Sequence, residues 1–70
     1  MEPTIYELSL LARQIRQGDV FTLHGRERTA ADYAWPAGGQ SVSVAFIGGG
    51  FAVIPEDRPM VVRRAATRAA

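Results

Sequence analysis

The chain has no cysteine, no lysine and no asparagine, and only one histidine and one tryptophan. Without cysteine, neither a disulfide framework nor a thiolate metal site can brace the domain, and the redox state of its compartment leaves no mark on it. His24 cannot build a metal centre unaided, so no metal and no other cofactor is expected. No apolar run approaches the length that crosses a bilayer, and the acidic N-terminus lacks the basic-then-apolar order of a secretory leader. The default expectation is a cytoplasmic protein with no membrane partner. Catalytic pairings are missing as well. His24 has no Ser or Asp motif beside it, and the adjacent Glu56 and Asp57 point apart in extended chain and into water in a turn. A non-enzymatic protein is expected.

What the sequence does contain is organised around residues 40–54. Val42, Val44 and Phe46 recur every second residue with Ser41, Ser43 and Ala45 between them, the period of a strand with one face on a core. Gly48-Gly49-Gly50 can take positive φ at no steric cost, and Phe51, Ala52, Val53 and Ile54 resume the apolar run, so the segment predicts a β-hairpin. A phosphate-cradling loop would instead run into a helix and be followed by Lys and Ser or Thr. At the N-terminus, Thr4-Ile5-Tyr6-Glu7 has capping-box spacing. Ile5, Leu8, Leu11, Ala12 and Ile15 fall on one helical stripe, and Gly18 sits where a helix stops. These features predict a helix over 4–17. Strands are expected at about 20–24, 28–35, 41–47, 51–54 and 60–64, with a charged turn at Arg26-Glu27-Arg28, a Pro-Gly turn at 36–39 and another turn at 55–59. From Ala30 to Trp35 the alanines suit a short helix equally well. Residues 65–70 read as a flexible basic tail.

The expected fold class is therefore α+β: a short N-terminal helix followed by a five-stranded antiparallel meander or partial barrel within one domain, residues 1–64. An open sheet with the helix across one face is the alternative. A proline-containing turn before a short last strand resembles the layout of Src-homology-3-like small barrels over residues 19–64, a likeness that implies architecture and carries no functional residues. At 70 residues the core is small, and a second copy or a partner covering apolar surface would add stability.

All eight cations are arginine, against seven acids, giving a net charge of +1. Arg58, Arg63, Arg64 and Arg68 are the candidate nucleic-acid contacts, with Tyr33 and Trp35 as bases' stacking partners, yet a protein engaging many phosphates carries a far larger basic excess. The protein-binding reading takes precedence. Its candidate contacts are Phe21, Tyr33 and Trp35 as apolar anchors with Arg26 and Arg28 at the rim. Gln17-Gly18-Asp19-Val20-Phe21 also resembles the pentapeptide by which bacterial replication and repair proteins dock on the DNA sliding clamp, in which Gln, Asp, an aliphatic residue and Phe occupy these places. That likeness implies a host replication protein as partner and Gln17, Asp19 and Phe21 as contacts. Abundant Ala, Gly, Val and Arg resembles the usage of GC-rich actinobacteria and their phages, which suggests a phage- or plasmid-encoded modulator of a host protein. A nucleic-acid-binding small barrel and a structural subunit of a homo-oligomer are the alternatives.

Overall fold

The N-terminal segment TIYELSLL forms a strand, not the first turns of a helix, in the computed structural model, which describes residues 4–66. Leu8 and Leu10 satisfy the period of a strand as well as Leu8 and Leu11 satisfy that of a helix. An eight-residue partner decides between them. β1 (Thr4–Leu11) pairs antiparallel along its whole length with the last strand, Pro59–Ala66, placing Leu8 opposite Val62 and Leu10 opposite Met60 on the core side. Glu7 and Ser9 face outward between them. A lone helix of this length gains little in water, whereas the ladder with the last strand satisfies the backbone groups along one side of β1 and sets Leu8 and Leu10 against the core. Helix survives only as a single 3₁₀ turn, Ala12–Gln14, where Gln14 Oε1 accepts from the Leu11 N–H at 2.8 Å.

The remaining strands are β2 (Val20–Leu23), β3 (Arg26–Thr29), β4 (Trp35–Gly38), β5 (Ser41–Ala45) and β6 (Phe51–Pro55), with Pro59–Ala66 as β7. They form two antiparallel sheets, ordered β1-β7-β2-β3 and β4-β5-β6. The fold is thus nearly all β, and the α+β expectation with its helix over 4–17 is corrected. A bridge between Ala30 and Phe46 joins the sheets, flanked by bonds from the Ala31 N–H to the Ala45 carbonyl (2.8 Å) and from the Ile47 N–H to the Thr29 carbonyl (2.9 Å).

Two turns explain where the strand limits depart from expectation. His24 and Gly25 both have positive φ (52° and 77°), the two-residue turn whose twist matches paired strands, so Arg26-Glu27-Arg28 is strand and not turn. The stretch 28–35 is broken between β3 and β4, because the Ala34 N–H leaves the sheet to bond the Ile15 carbonyl at 3.1 Å. At the far end β7 continues through Ala66, so strand occupies the first two positions of the expected tail. The others, including Arg68, lie outside the described residues.

Between the sheets sit Phe21, Leu23, Val42, Val44, Phe46, Ile54, Met60 and Val62, with Ala12, Ile15, Ala30 and Ala34 filling the narrow places. The Phe21 and Phe46 rings meet tilted, their centroids 6.1 Å apart, a favoured arrangement of aromatic quadrupoles.

One charged group is fully buried in this core. Asp19 has no exposed surface, and its carboxylate accepts from Arg64 Nε (2.8 Å) and Nη2 (2.7 Å) and from the Arg16 N–H (2.9 Å). A bidentate guanidinium and a backbone donor together offset the loss of water around the carboxylate. The hydrogen bond to Asp19 raises the Arg64 pKa above its ordinary value, against a smaller lowering by burial. A raised folded-state pKa stabilises below the ordinary guanidinium value and fades only as pH climbs through the raised one, so this contribution is constant at any usual pH. By contrast, Arg63 and Glu27 form an ion pair in which both side chains remain substantially exposed. Arg64→Ala strands a buried carboxylate and should cost about 3–5 kcal/mol. Arg63→Ala should cost less than about 1 kcal/mol. Urea unfolding of the two variants beside the parent chain measures the difference, and equal losses would contradict it.

Candidate interaction face

Alternation places aromatic side chains outside the fold on either side of a buried anchor. Ala34 is in the core and its N–H is tied to Ile15, so its neighbours Tyr33 and Trp35 both turn toward solvent. Their rings stack with centroids 4.7 Å apart and planes 25° from parallel. Asp32 braces the pair: Oδ1 accepts from the Tyr33 N–H at 2.8 Å, and Oδ2 lies 3.4 Å from Trp35 Nε1. Trp35 is still 50% exposed and Tyr33 48%. Two large aromatics held rigid and half in water are the commonest ingredients of a binding hot spot.

The strand register extends this pair into a face. Trp35 lies opposite Ser43, and Ser43 opposite Val53, so the three form one row across the outer side of the β4-β5-β6 sheet. Ala45 and Phe51 make the next row, and Ser41 and Pro55 the row on the other side. Small residues on the central strand therefore floor a shallow trough between Trp35 on one wall and Phe51 and Val53 on the other. Phe51 and Val53 are exposed. No charged side chain occurs anywhere from Tyr33 to Pro55, so the trough floor is uncharged and the Asp32 carboxylate against Trp35 borders it from outside that run.

The sequence-predicted contacts separate in three dimensions. Tyr33 and Trp35 come together on the outer face. Phe21 is 2% exposed against Phe46 in the core, and Asp19 is sealed by Arg64, while Gln17 is exposed. Within the pentapeptide at 17–21, Gln17 and Gly18 are exposed and Val20 partly so, while Asp19 and Phe21 are closed off. Arg26 and Arg28 belong to β3, where the Arg28 guanidinium lies 4.3 Å from the centre of the Phe46 ring. Of the candidate nucleic-acid contacts, Arg58 is exposed near the turn before β7, while Arg63 and Arg64 are engaged with Glu27 and Asp19.

Two open grooves flank the four-stranded sheet. One, of ≈ 490 Å³, lies where β2 and β7 part after the single pair Val20 and Arg63, with Glu7, Thr22, Glu27 and Arg58 in its lining. The other, of ≈ 480 Å³, sets Tyr33 beside Arg13, Arg16, Gln14 and Arg64. The first sets Thr22 opposite Glu27, and among the described residues no group of three or more His, Asp or Glu side chains could hold a metal ion. Also among the described residues, no helix is long and apolar enough to cross a membrane.

Sequence reading missed the breadth of this face because it weighed aromatic residues singly. The charge-free run from Tyr33 to Pro55 was the available signal. The contrast between anchor and core is measurable: Phe21→Ala should cost about 3–5 kcal/mol, and Trp35→Ala less than about 1.5 kcal/mol. Equal destabilisation in urea titrations would place Trp35 among the core residues instead.

No protein-family model matches the chain, and neither the curated proteins nor the solved structures contain a match to it.

Proposed function

We propose that the protein is a non-enzymatic protein-binding module whose contact surface is the outer face of the β4-β5-β6 sheet, with Tyr33 and Trp35 as its anchors. The observation that carries this reading is the stacked, half-exposed aromatic pair beside a trough free of charge. Trp and Tyr lose little rotamer freedom on binding, and an uncharged floor costs little to desolvate. A partner of matching chemistry presents an apolar ridge, such as a helix face or a strand with large aliphatic side chains, to lie between Trp35 and Phe51. Architecture supports a likeness to Src-homology-3-like barrels: β7-β2-β3 continues through the Ala30 and Phe46 bridge into β5 and β6, and a turn closed by the Arg58 N–H and the Pro55 carbonyl precedes β7.

A second reading rests on the groove beside Tyr33. Arg13 and Arg16 line it and make no ion pair among the described residues, so a stacked base with its phosphates could be held there. The two readings respond oppositely to salt. Binding through the apolar face should persist at high ionic strength, be lost in Trp35→Ala and in Ser43→Arg, which fills the trough floor with a charge, and survive Arg13→Ala with Arg16→Ala. Binding of single-stranded oligonucleotides should weaken steeply with salt and depend on the two arginines. Calorimetric titration with a captured and purified partner or with oligonucleotides reads both in every variant, Trp35→Ala included. Oligonucleotide binding that falls with salt and with the arginines removed, without any protein ligand sensitive to Ser43→Arg, would overturn the protein-binding reading.

A further inference from the structure

The edges of the two sheets are protected unequally. β1 carries Glu7, β3 carries Arg26, Glu27 and Arg28, and β4 carries Pro36 with a shift of register between Pro36 and Gly38. Charges, prolines and bulges each discourage another chain from adding a strand. β6 pairs with β5 along one side only and has no charge, no bulge and no proline before its last residue.

The direction of its backbone groups follows from the ladder. The Phe46 N–H bonds the Gly50 carbonyl at 3.0 Å and the Glu56 N–H bonds the Gln40 carbonyl at 2.9 Å. Bonded and non-bonded pairs alternate in an antiparallel ladder, so Ala52 and Ile54 turn their groups toward β5 in register with Val44 and Val42. Phe51 and Val53 therefore turn N–H and C=O away from the sheet, and their side chains are 67% and 58% exposed. Pro55, the next residue of that parity, has no N–H to offer and marks where the open edge ends.

We propose that β6 is a self-association edge, through which two copies of this chain join antiparallel to make a single sheet twice as wide. With Phe51 of one copy opposite Val53 of the other, the open groups on both are satisfied by about four hydrogen bonds, and Pro55 is left clear. A second copy is the occupant this edge fits. A two-fold contact brings each stretch against itself, where any charge would meet its like, and this strand has none. Paired residues on adjacent strands lie on the same face, so Phe51 and Val53 of the two copies cover one another, and the two troughs become continuous. A domain of this size gains from such cover. The inference rests on the open edge of β6, although Phe51 and Val53 also wall the trough of the proposed binding face.

Sedimentation velocity of the full chain across a concentration series tests it. Val53→Pro removes a donor that β5 does not use, so the hairpin ladder stays intact while the edge is blocked. Val53→Lys keeps the backbone and sets like charges against each other. The parent chain should dimerise, and both variants should raise the dissociation constant about tenfold or more with an unchanged circular dichroism spectrum. Amide exchange at Phe51 and Val53 should slow as concentration rises in the parent chain and not in Val53→Lys. Trp35→Ala should leave the dimer unchanged. If Val53→Pro fails to fold, Val53→Lys and the exchange rates decide. A parent chain that stays monomeric to about millimolar concentration, a dimer that survives Val53→Lys, or free exchange of both amides within the dimer would each overturn the proposal.

Discussion

The buried contact between Asp19 and Arg64 is the constraint from which the rest of the architecture follows. A carboxylate without water is tolerated only when its oxygens are filled, and here β7 and the turn before β2 fill them together. Arg64 also reaches the Gln14 carbonyl at 3.4 Å, while the Asp19 carbonyl takes the Ala30 N–H and the Asp19 N–H bonds the Arg16 carbonyl. Residues distant in sequence are thereby fixed at one point: the end of the β1-β7 ribbon, the 3₁₀ turn and the entry to the β2-β3 hairpin. The Ile15 carbonyl, held within this knot, is what receives the Ala34 N–H. The outward aim of Tyr33 and Trp35 is thus set through the Ile15 carbonyl, by a chain of bonds that begins at a guanidinium.

That linkage gives the two sheets different tasks. The four-stranded sheet carries the ion pairs, closes the chain on itself and supplies half of the core. The three-stranded sheet contributes Val42, Val44 and Ile54 inward and leaves small or aromatic residues outward. Because the sheets share the Ala30 and Phe46 bridge, the outer trough rests on a rigid floor and not on a loop, and little ordering is left for a binding event to impose.

How much of this was legible in the sequence depends on whether a signal was local. The β5-β6 hairpin could be read from Val42, Val44, Phe46 and three glycines, because period and turn chemistry lie within fifteen residues and agree. The first strand could not. Leu8, Leu10, Leu11 and Ile15 serve two periods at once, and only the register with β7, at the other end of the chain, selects one. The break in 28–35 was hidden for the same reason, since the bond that bends the chain there comes from Ile15. The burial of Asp19 was equally silent. An aspartate after glycine reads as a turn residue on composition, and nothing nearby announces that Arg64 will cover it. Of the expected anchors, Trp35 and Tyr33 are half-exposed and Phe21 is buried, a difference no local signal announced, and Phe21 shows that a docking-motif likeness and a core position are compatible in sequence and exclusive in space.

The absence of charge from residues 33–55 also separates the solvent variables to which the molecule can respond. Every ionisable side chain of the described residues lies outside the run from Tyr33 to Pro55 except the phenol of Tyr33 itself. Added electrolyte therefore acts on the flanking charges, the Asp32 carboxylate against Trp35 among them, whereas agents that solvate hydrocarbon act on the trough itself. The outer trough is thus apolar between two charged borders, and the covalent chain passes from one regime to the other at Asp32 and back at Glu56.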